Sequence, residues 1–279
     1  MLSVRRHRRR KRVSDAALQA QIAAATAYED LFVVALFGQW APRVVEAAHL
    51  QPGQRVLDVA CGTGILAREA VARVGSTGSI VGLDPNPGML AVAERLAPAV
   101  EWQQGTAESL PFPDQSFDAV ISQFGLMFFT DRYQALREML RVLTPGGRIA
   151  VAVWDSLDNI PAYASEVALL EGVAGQRAAD ALRAPFVLGD RKELAALFAG
   201  AGFTSVAIAT QRGTAQFPSI RSMVEADMRG WLPVMGVVLA EEQIQHILQE
   251  AEHVLGSYVT AQGKVVFDAP AHIVTGTTV

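Results

Sequence analysis

The feature that most constrains the fold is a regular alternation of short apolar runs with helix-forming segments, which begins near Arg55. Helical segments separate the first three runs, and residues 132–143, with one apolar face, separate the last two. Buried, near-continuous apolar strands that alternate with helices predict an α/β fold with a doubly wound, mainly parallel sheet. The five runs are residues 56–60, 79–84, 100–104, 117–122 and 148–154.

This alternation stops after residue 154. Helix-prone segments follow at 162–184 and 190–202, then an apolar run at 203–211. Residues 218–258 read as helical, and a strand-like run at 264–275 comes last. About 40 helical residues therefore stand between the two final predicted strands, and an insertion of that size usually covers a site or forms a partner surface.

Composition excludes several classes of protein. No run of about 18 apolar residues occurs, so no membrane span is expected. Cys61 is the single cysteine among 279 residues, which excludes an intramolecular disulfide and a cysteine zinc cluster. No metal site is predicted, and a reducing cytoplasm is the simplest compartment.

Charge is concentrated at the N-terminus. The run RRHRRRKR, residues 5–12, holds seven of the 24 Lys and Arg residues. The rest of the chain then has 17 basic against 28 acidic residues, a balance of −11 compared with −4 for the whole chain. Because nucleic-acid binding depends on neutralising phosphates, the acidic balance of the rest of the chain disfavours a nucleic-acid partner. Residues 1–13, which contain the basic run, are predicted to be a disordered tail.

A glycine turn, VLDVACGTGILA at residues 56–67, carries the main functional signal. Gly62 and Gly64 let a ligand approach the backbone at the start of a helix. Their spacing, with Asp84 twenty residues past Gly64, is also that of a dinucleotide site, so an NAD(P)-dependent oxidoreductase is one alternative. Asp58 argues against it, because a carboxylate before the glycines repels pyrophosphate and attracts a cationic amino-acid group. A ligand with adenine, ribose and a cationic amino-acid arm fits better, which is S-adenosylmethionine.

Four consecutive motifs resemble those of class I S-adenosylmethionine-dependent methyltransferases, of the ubiquinone/menaquinone-biosynthesis type (methyltransferase type 11-like). They are VLDVACGTG, VGLDPNPGML, GTAESLPFPDQSFDAVISQFGL and LRVLTPGGRIAVAVW, and they lie within residues 55–154. The resemblance implies a Rossmann-like sheet of seven strands in the order 3-2-1-4-5-7-6, with the last strand antiparallel. It also implies helices on both faces and a helical cap inserted before the last strand.

The resemblance further assigns roles in cofactor binding. Threonine at 106 departs from the acid or amide usual in the family, so the backbone of Ala107 or the carboxylate of Glu108 is the expected substitute at the adenine edge. The full assignment is Asp58, Ala60, Gly62, Thr63 and Gly64 for the methionine part, Asp84 for the ribose hydroxyls, Pro85 and Met89 for ribose and adenine, Thr106, Ala107 and Glu108 for the adenine edge, and Gln123 where the amino-acid end meets the acceptor.

The methyl acceptor is predicted to be a small, largely apolar metabolite, methylated at C, O or N. The chain lacks the Asn/Asp-Pro-Pro-aromatic turn of amino-methylating DNA enzymes, and its one cysteine lies in the cofactor turn. Transfer is an in-line displacement, for which the enzyme chiefly aligns the reactants. The predicted acceptor walls include Tyr28, Phe32, Phe124 and Phe128; Asp227 and Glu225 could reach the pocket, and no catalytic base is assigned.

The predicted organisation is therefore a tail (1–13) and one methyltransferase domain (14–279). That domain comprises N-terminal cap helices (14–53), a cofactor-binding core (54–155) and a helical lid insertion (218–259). Two further alternatives remain: a non-catalytic S-adenosylmethionine-binding or regulatory protein, and an RNA methyltransferase that uses the basic tail as an anchor. The identity of the acceptor and the oligomeric state stay open.

Overall fold

The structure, a computed structural model, describes the backbone of residues 2–278 and the side chains of residues 15–278. The strands in this part of the chain are β1 (Arg55–Val59), β2 (Ser79–Asp84), β3 (Glu101–Gln104), β4 (Phe117–Gln123), β5 (Leu143–Trp154), β6 (Thr204–Gln211), β7 (Thr214–Phe217), β8 (Val265–Asp268) and β9 (Ala271–Thr277). The α-helices are α1 (Leu2–Ala27), α2 (Ala41–Ala47), α3 (Ile65–Val74), α4 (Pro87–Leu96), α5 (Arg132–Val142), α6 (Pro161–Ala174), α7 (Gln176–Arg183), α8 (Arg191–Ala201), α9 (Ile220–Ala226), α10 (Leu232–Val234) and α11 (Glu241–Val254). Two stretches, Tyr28–Phe37 and Asp227–Trp231, are π-helical.

Seven strands form one sheet in the order β3-β2-β1-β4-β5-β9-β6. Pairs among the first five are parallel, and β9 is antiparallel to both β5 and β6. Since β9 is the seventh strand of this sheet along the chain, the predicted order and the antiparallel last strand are confirmed. The order reverses between β1 and β4, which is where a doubly wound sheet opens a crevice at its carboxyl edge.

The predicted last strand, residues 264–275, is two strands in the structure. β8 pairs with β7 in a separate antiparallel ribbon, whereas β9 enters the main sheet. Pro270 stands between them and cannot donate a ladder hydrogen bond, although its carbonyl accepts one from the Asp155 N–H at 3.1 Å. The break between β8 and β9 therefore allows this one segment of chain to contribute a strand to the ribbon and a strand to the main sheet.

The core of the main sheet is apolar on both faces, as the alternation of runs predicts. Val56, Leu57 and Val59 of β1 are completely buried, as are Ile149 and Val151 of β5. Each such side chain contributes about 1.5–3 kcal/mol by leaving water. This rigid sheet holds the carboxyl ends of β1, β2 and β4 in fixed relation.

The N-terminal helices cover one end of the sheet. α1 passes so close to α4 that a Cβ on Gly88 would lie 2.5 Å from the backbone carbon of Gln21. The backbone of residues 2–13, for which the sequence predicts a disordered tail, is described as part of α1; the side chains of the basic run lie outside the described residues. The expectation for this tail stays a prediction.

Residues Asp15–Ala47 form a continuous helical stretch that is long and apolar enough to cross a membrane by length and composition, with a mean hydropathy of 1.4. The sequence offers no single apolar run of that length, because polar residues interrupt it. The C-terminal end of this stretch packs into the protein, where Trp40, Val44 and Val45 are fully buried, whereas only 22% of its apolar window is buried. Core helices pass the same test of length and composition, so the expectation of no membrane span stays a prediction.

A second helical layer lies beyond the carboxyl edge of the sheet. α11 packs on α6 and on α9, and α6 packs on α7. In α11, Ile244, Ile247 and Leu248 are buried, whereas His246 and His253 face solvent. The segment predicted as a lid, 218–259, lies between β7 and β8 and contains α9, α10 and α11. The packing of α6 on this layer was not foreseen.

Candidate functional site

The turn between β1 and α3 lies at the crevice where the strand order reverses. Asp58, near the end of β1, is 0% exposed, and neither of its carboxylate oxygens has a hydrogen-bond partner among the described residues. Burial raises the pKa of this carboxyl well above its usual range; the backbone N–H of Ala67 acts against the rise, and the charge of Asp84 adds to it. A buried charge without a partner costs several kcal/mol, so the site favours a cationic ligand group beside Asp58.

Gly62 and Gly64 differ in what their missing side chains make room for. Both have positive φ, +55° and +84°. A Cβ on Gly64 would lie 2.4 Å from Cη2 of Trp102, whereas nothing lies within 4 Å of a Cβ on Gly62. Gly64 is therefore required by internal packing, and Gly62 alone leaves open space beside the turn.

Asp84 lies at the end of β2 and fastens the glycine turn. Its Oδ2 accepts a hydrogen bond from the Gly62 N–H at 2.9 Å, and its Oδ1 accepts one from the Asn86 N–H at 2.9 Å. Burial raises the pKa of Asp84, and these two N–H groups offset part of the rise. Each carboxylate oxygen keeps further acceptor capacity, so two neighbouring hydroxyls of a ribose could still bind.

Glu29 is part of the site and was missed by sequence reasoning. It lies in the first π-helical stretch and accepts hydrogen bonds from the Thr63 hydroxyl and, at 2.6 Å, from Nη2 of Arg68. Thr63, predicted as a turn residue, is buried. The N-terminal segment thus clasps the turn and the first helix after it. No local sequence pattern indicates this contact, because Thr63 and Arg68 stand 34 and 39 positions from Glu29 in the chain.

Strained backbone occurs at the ends of β1 and β4, as it also does at His49, Gln115 and Ser205. Ala60 and Phe124 are non-glycine residues with φ of +58° and +56°. A Cβ on Gly125 would lie 2.6 Å from the Cβ of Ala60, so the two loops touch here. Such conformations cost about 1–3 kcal/mol each and persist mainly at functional sites.

Further polar atoms without partners lie at the end of β4. The Ser122 hydroxyl and Oε1 of Gln123 are buried and have no hydrogen-bond partner among the described residues, while Nε2 of Gln123 donates to the Phe37 carbonyl at 3.1 Å. Buried polar groups are nearly always paired in proteins. Like Asp58, they are buried polar groups without partners at the ends of the neighbouring strands β1 and β4.

Cys61 does not serve as a nucleophile in this arrangement. It is buried, and burial raises the pKa of its thiol well above the usual value; the charges of Asp58 and Asp84 act in the same direction. Among the described residues, no group of three or more His, Cys, Asp or Glu side chains is placed to hold a metal ion.

The side predicted to contact adenine is only partly free. Pro85 and Thr106 are exposed, Met89 is half-buried and Ala107 is buried. Oε1 of Glu108 accepts a hydrogen bond from the Thr130 N–H at 2.8 Å, which joins this loop to the loop after β4. Glu108 therefore has a structural partner, and one of its oxygens remains for a ligand.

The four aromatic residues predicted as acceptor walls separate into different environments. Phe124 is 7% exposed and stacks on Trp154 with ring centroids 3.9 Å apart, so it belongs to the core. Phe128 is 40% exposed and contacts Trp231 at 5.0 Å. Tyr28 and Phe32 are half-buried neighbours, and the charges of Glu29 and Asp84 add to the effect of burial in raising the pKa of Tyr28.

A pair of buried acids lies in the helical layer. Glu166 of α6 is 0% exposed and Asp227 of the second π-helical stretch is 3% exposed. Both oxygens of Glu166 and Oδ2 of Asp227 have no hydrogen-bond partner among the described residues. Burial raises the pKa of both carboxyls well above the usual range, and the charge of Asp227 further raises that of Glu166. Sequence reasoning weighed Asp227 and did not consider Glu166, whose helix gives no local sign of this pairing.

Comparison with known proteins agrees with this geometry. Residues 57–151 match the family described as "Methyltransferase domain". The "Ubiquinone/menaquinone biosynthesis C-methyltransferase UbiE" of Ectopseudomonas mendocina is 45% identical over 126 residues, which cover 43% of this chain and 49% of that protein. The chain thus spans about half the length of the curated relatives it matches.

Solved structures extend the likeness to most of the fold. The YcgJ protein of Bacillus subtilis has 22% identity and a TM-score of 0.57, over 86% of this chain and 98% of that one. A Haemonchus contortus phosphoethanolamine N-methyltransferase, in complex with phosphomonomethylethanolamine and S-adenosylhomocysteine, has 16% identity and a TM-score of 0.58, over 92% of this chain and 57% of that one. These likenesses concern the fold.

Residues 57–151 match the methyltransferase-domain family, and the sheet has the strand order that the resemblance implies for the class I fold. Within that class, the domain is similar to the C-methyltransferases of ubiquinone and menaquinone biosynthesis.

Proposed function

We propose that the protein is an S-adenosylmethionine-dependent methyltransferase that acts on C, O or N of a small, largely apolar metabolite. The observation that carries this proposal is Asp58, whose buried carboxylate has no partner and lies beside the glycine turn. A carboxylate there suits the cationic amino-acid arm of S-adenosylmethionine and opposes the pyrophosphate of a nicotinamide cofactor.

The residues present fit this cofactor at both of its ends. Neither oxygen of Asp58 has a partner at hydrogen-bond distance among the described residues, although the Ala67 N–H lies near enough to act on its pKa. Asp84 keeps acceptor capacity for ribose hydroxyls beyond its bonds to Gly62 and Asn86. The open space beside Gly62 lets a ligand lie against the turn. Thr63 and Gly64, in contrast, support the turn from inside.

When bound, S-adenosylmethionine supplies a methyl group already activated by its sulfonium. The protein then has to align acceptor, methyl carbon and sulfur, and to exclude water. Asp58 and Asp84 would fix the orientation of the cofactor from two strand ends, while Gln123 stands at the tip of β4 where the acceptor approaches. Tyr28, whose phenol lies within electrostatic reach of Asp84, would close the N-terminal side.

Calorimetry with S-adenosylmethionine, S-adenosylhomocysteine, NAD and NADP tests the cofactor. We expect micromolar binding of the first pair alone, whereas preference for the nicotinamide pair would overturn the proposal. Asp58→Asn should weaken binding of the first pair about 10- to 100-fold, because one charge-assisted hydrogen bond contributes about 1.5–3 kcal/mol.

Asp118→Asn is the matched control for Asp58→Asn. Asp118 lies at the opposite end of β4 and forms an ion pair with Arg55 at 2.8 Å, so its loss should lower stability without changing affinity. Transfer itself is measured with radiolabelled methyl groups and a panel of hydroxyaromatic, quinol and amine acceptors. Binding without transfer across the panel would instead favour a non-catalytic S-adenosylmethionine-binding protein.

The partners and compartment belong to the same proposal. We expect a small-molecule methyl acceptor, no nucleic-acid partner and a cytoplasmic enzyme without a membrane span. The acidic balance of the chain beyond residues 5–12 supports the exclusion of nucleic acid, and the single reduced cysteine, Cys61, supports the compartment.

A further inference from the structure

Three polar side chains meet at the carboxyl edge of the sheet, apart from the glycine turn. Asp155 directly follows β5, His272 lies at the start of β9 and Thr210 lies near the end of β6. Thr210 and His272 are cross-strand partners, so their side chains lie on the same face of the sheet. Since β9 stands between β5 and β6, the strand order places the histidine between the other two residues. β4 and β5 separate β9 from β1, which carries the glycine turn.

The hydrogen bonds of His272 determine which of its ring nitrogens carries the proton. Nε2 lies 2.9 Å from the Gly189 carbonyl oxygen and 3.2 Å from Oδ1 of Asp155. A carbonyl oxygen only accepts, so Nε2 carries the hydrogen and donates it. In the neutral ring Nδ1 is then an acceptor, and the Thr210 hydroxyl, at 2.9 Å, donates to it. His272 is therefore oriented as a base toward the hydroxyl of Thr210.

Gly189 allows this arrangement because it has no side chain. A Cβ at this position would overlap backbone atoms of Ser156, whose N–H donates to Oδ1 of Asp155 at 2.7 Å. The glycine therefore lets the loop before α8 lie directly against the chain that follows β5. His272 is 1% exposed and Asp155 is 7% exposed, whereas Thr210 is exposed. A fixed base bonded to an accessible hydroxyl, and itself oriented by a third group, is the arrangement that activates a nucleophile.

The same three side chains line a cavity of about 380 Å³, a size that suits a small molecule. Arg191 and Lys192, exposed at the start of α8, also line it. Positive charge at this wall would stabilise the negative charge that develops on a carbonyl oxygen under attack. Asp190 lines the cavity as well, but its Oδ1 caps α8 by accepting from the N–H groups of Lys192 and Glu193.

We propose that Thr210 is a nucleophile, activated by His272, that takes the acyl group of a small ester bound in this cavity. His272 and Thr210 have the roles of base and nucleophile in a catalytic triad, and Asp155 is the positioning residue that orients the base. The protein then has a hydrolytic activity at a site separate from the glycine turn. This inference does not rest on the proposed methyl transfer.

The proposed reaction consumes one water for each ester. The Thr210 O–H bond breaks, its proton goes to Nδ1 of His272, and an oxygen lone pair forms the bond to the acyl carbon. The ester C–O bond breaks, and the leaving oxygen keeps its electron pair and takes the proton from His272. Water then attacks the acyl-threonine while His272 takes its proton, and the carboxylic acid and free Thr210 are released. Asp155 stabilises the positive charge that His272 carries between these transfers.

The test uses the full chain with p-nitrophenyl acetate as the probe. The wild type should release p-nitrophenolate in a rapid first turnover, and peptide mass spectrometry of acid-quenched samples should find acetyl on Thr210. Thr210→Val should lose both signals, and Thr210→Ser should keep both because it keeps the hydroxyl. Thr204→Val is the matched control: Thr204 lies at the other end of β6, where its hydroxyl donates to the Thr277 carbonyl at 3.0 Å, so both signals should remain.

Asp155→Asn tests the positioning residue. It should slow acylation without lowering the final amount of acetyl-threonine, since the nucleophile and the base are both kept. Thermal unfolding of every variant separates a loss of reactivity from a loss of fold. The proposal is overturned if folded Thr210→Val reacts like the wild type, if folded Thr210→Ser is as unreactive as Thr210→Val, or if the acetyl group is found on Lys192 and not on Thr210. Equal acylation rates in Asp155→Asn and the wild type would overturn the role of Asp155.

Discussion

Gly62→Ala should mainly weaken cofactor binding and Gly64→Ala should mainly lower stability, although the two glycines stand two residues apart in the same turn. Both have positive φ, so an alanine at either position costs about 1–2 kcal/mol. At Gly64 the new Cβ would also lie 2.4 Å from the Trp102 ring, whereas at Gly62 it would meet nothing within 4 Å. Overpacking of this kind costs about 1–3 kcal/mol more.

Gly64→Ala should therefore lower the free energy of unfolding by about 2–5 kcal/mol in total. For a chain of this size each kcal/mol shifts the unfolding midpoint by about 2–4 °C, so the loss is readily seen in a thermal melt. Gly62→Ala should cost only about 1–2 kcal/mol. Its main effect should be on binding, since its methyl group points into the space where the cofactor is proposed to lie.

Thermal unfolding and calorimetry on the same two variants separate these effects. We expect Gly62→Ala to reduce S-adenosylhomocysteine affinity at least tenfold, and Gly64→Ala, at a temperature where it is folded, to retain more affinity. Equal affinities in Gly62→Ala and the wild type would refute the placement of the cofactor against Gly62. A Gly64→Ala variant as stable as the wild type would refute the packing argument.

Three further predictions concern the contact of Glu29 with the glycine turn, two aromatic residues and the buried acid Glu166. Glu29→Gln should speed amide hydrogen exchange in the glycine turn, because it weakens the bond to Arg68, and should lower stability by about 1–3 kcal/mol. Phe124→Ala should lower the free energy of unfolding by about 3–5 kcal/mol, whereas Phe128→Ala should change it by less than about 1 kcal/mol, as judged by urea unfolding. Because the pKa of Glu166 is raised in the folded protein, the unfolded chain ionises at this residue above about pH 4 while the folded protein does not, and the wild type loses stability as pH rises. The stability of Glu166→Gln relative to the wild type should therefore increase with pH.

Each of these predictions has an outcome that contradicts it. Unchanged exchange in the turn of Glu29→Gln would show that the N-terminal segment does not hold the turn. Similar losses in the two phenylalanine variants would mean that exposure does not distinguish their roles. A stability difference between Glu166→Gln and the wild type that is constant between pH 4 and pH 8 would show that Glu166 does not titrate abnormally.

The class of fold and the cofactor turn followed from local sequence. Strand and helix periods, the turn glycines and the acids at the ends of β1 and β2 are written within a few residues of one another, so residues 55–154 were interpretable without a structure. The seven-strand order is confirmed by the sheet pairing. The roles predicted for the individual site residues, such as Asp58 and Gln123, stay predictions that the binding experiments test.

Only the tertiary structure decided which residues meet across long separations in the chain. Glu29 reaches Thr63 and Arg68, and Phe124 stacks on Trp154 because β4 and β5 end side by side. Whether a buried acid has a partner is likewise a property of the packed protein. Nothing near Glu166 in the sequence shows that its carboxylate is buried without a partner, because burial and pairing are set by how helices pack and not by their local composition.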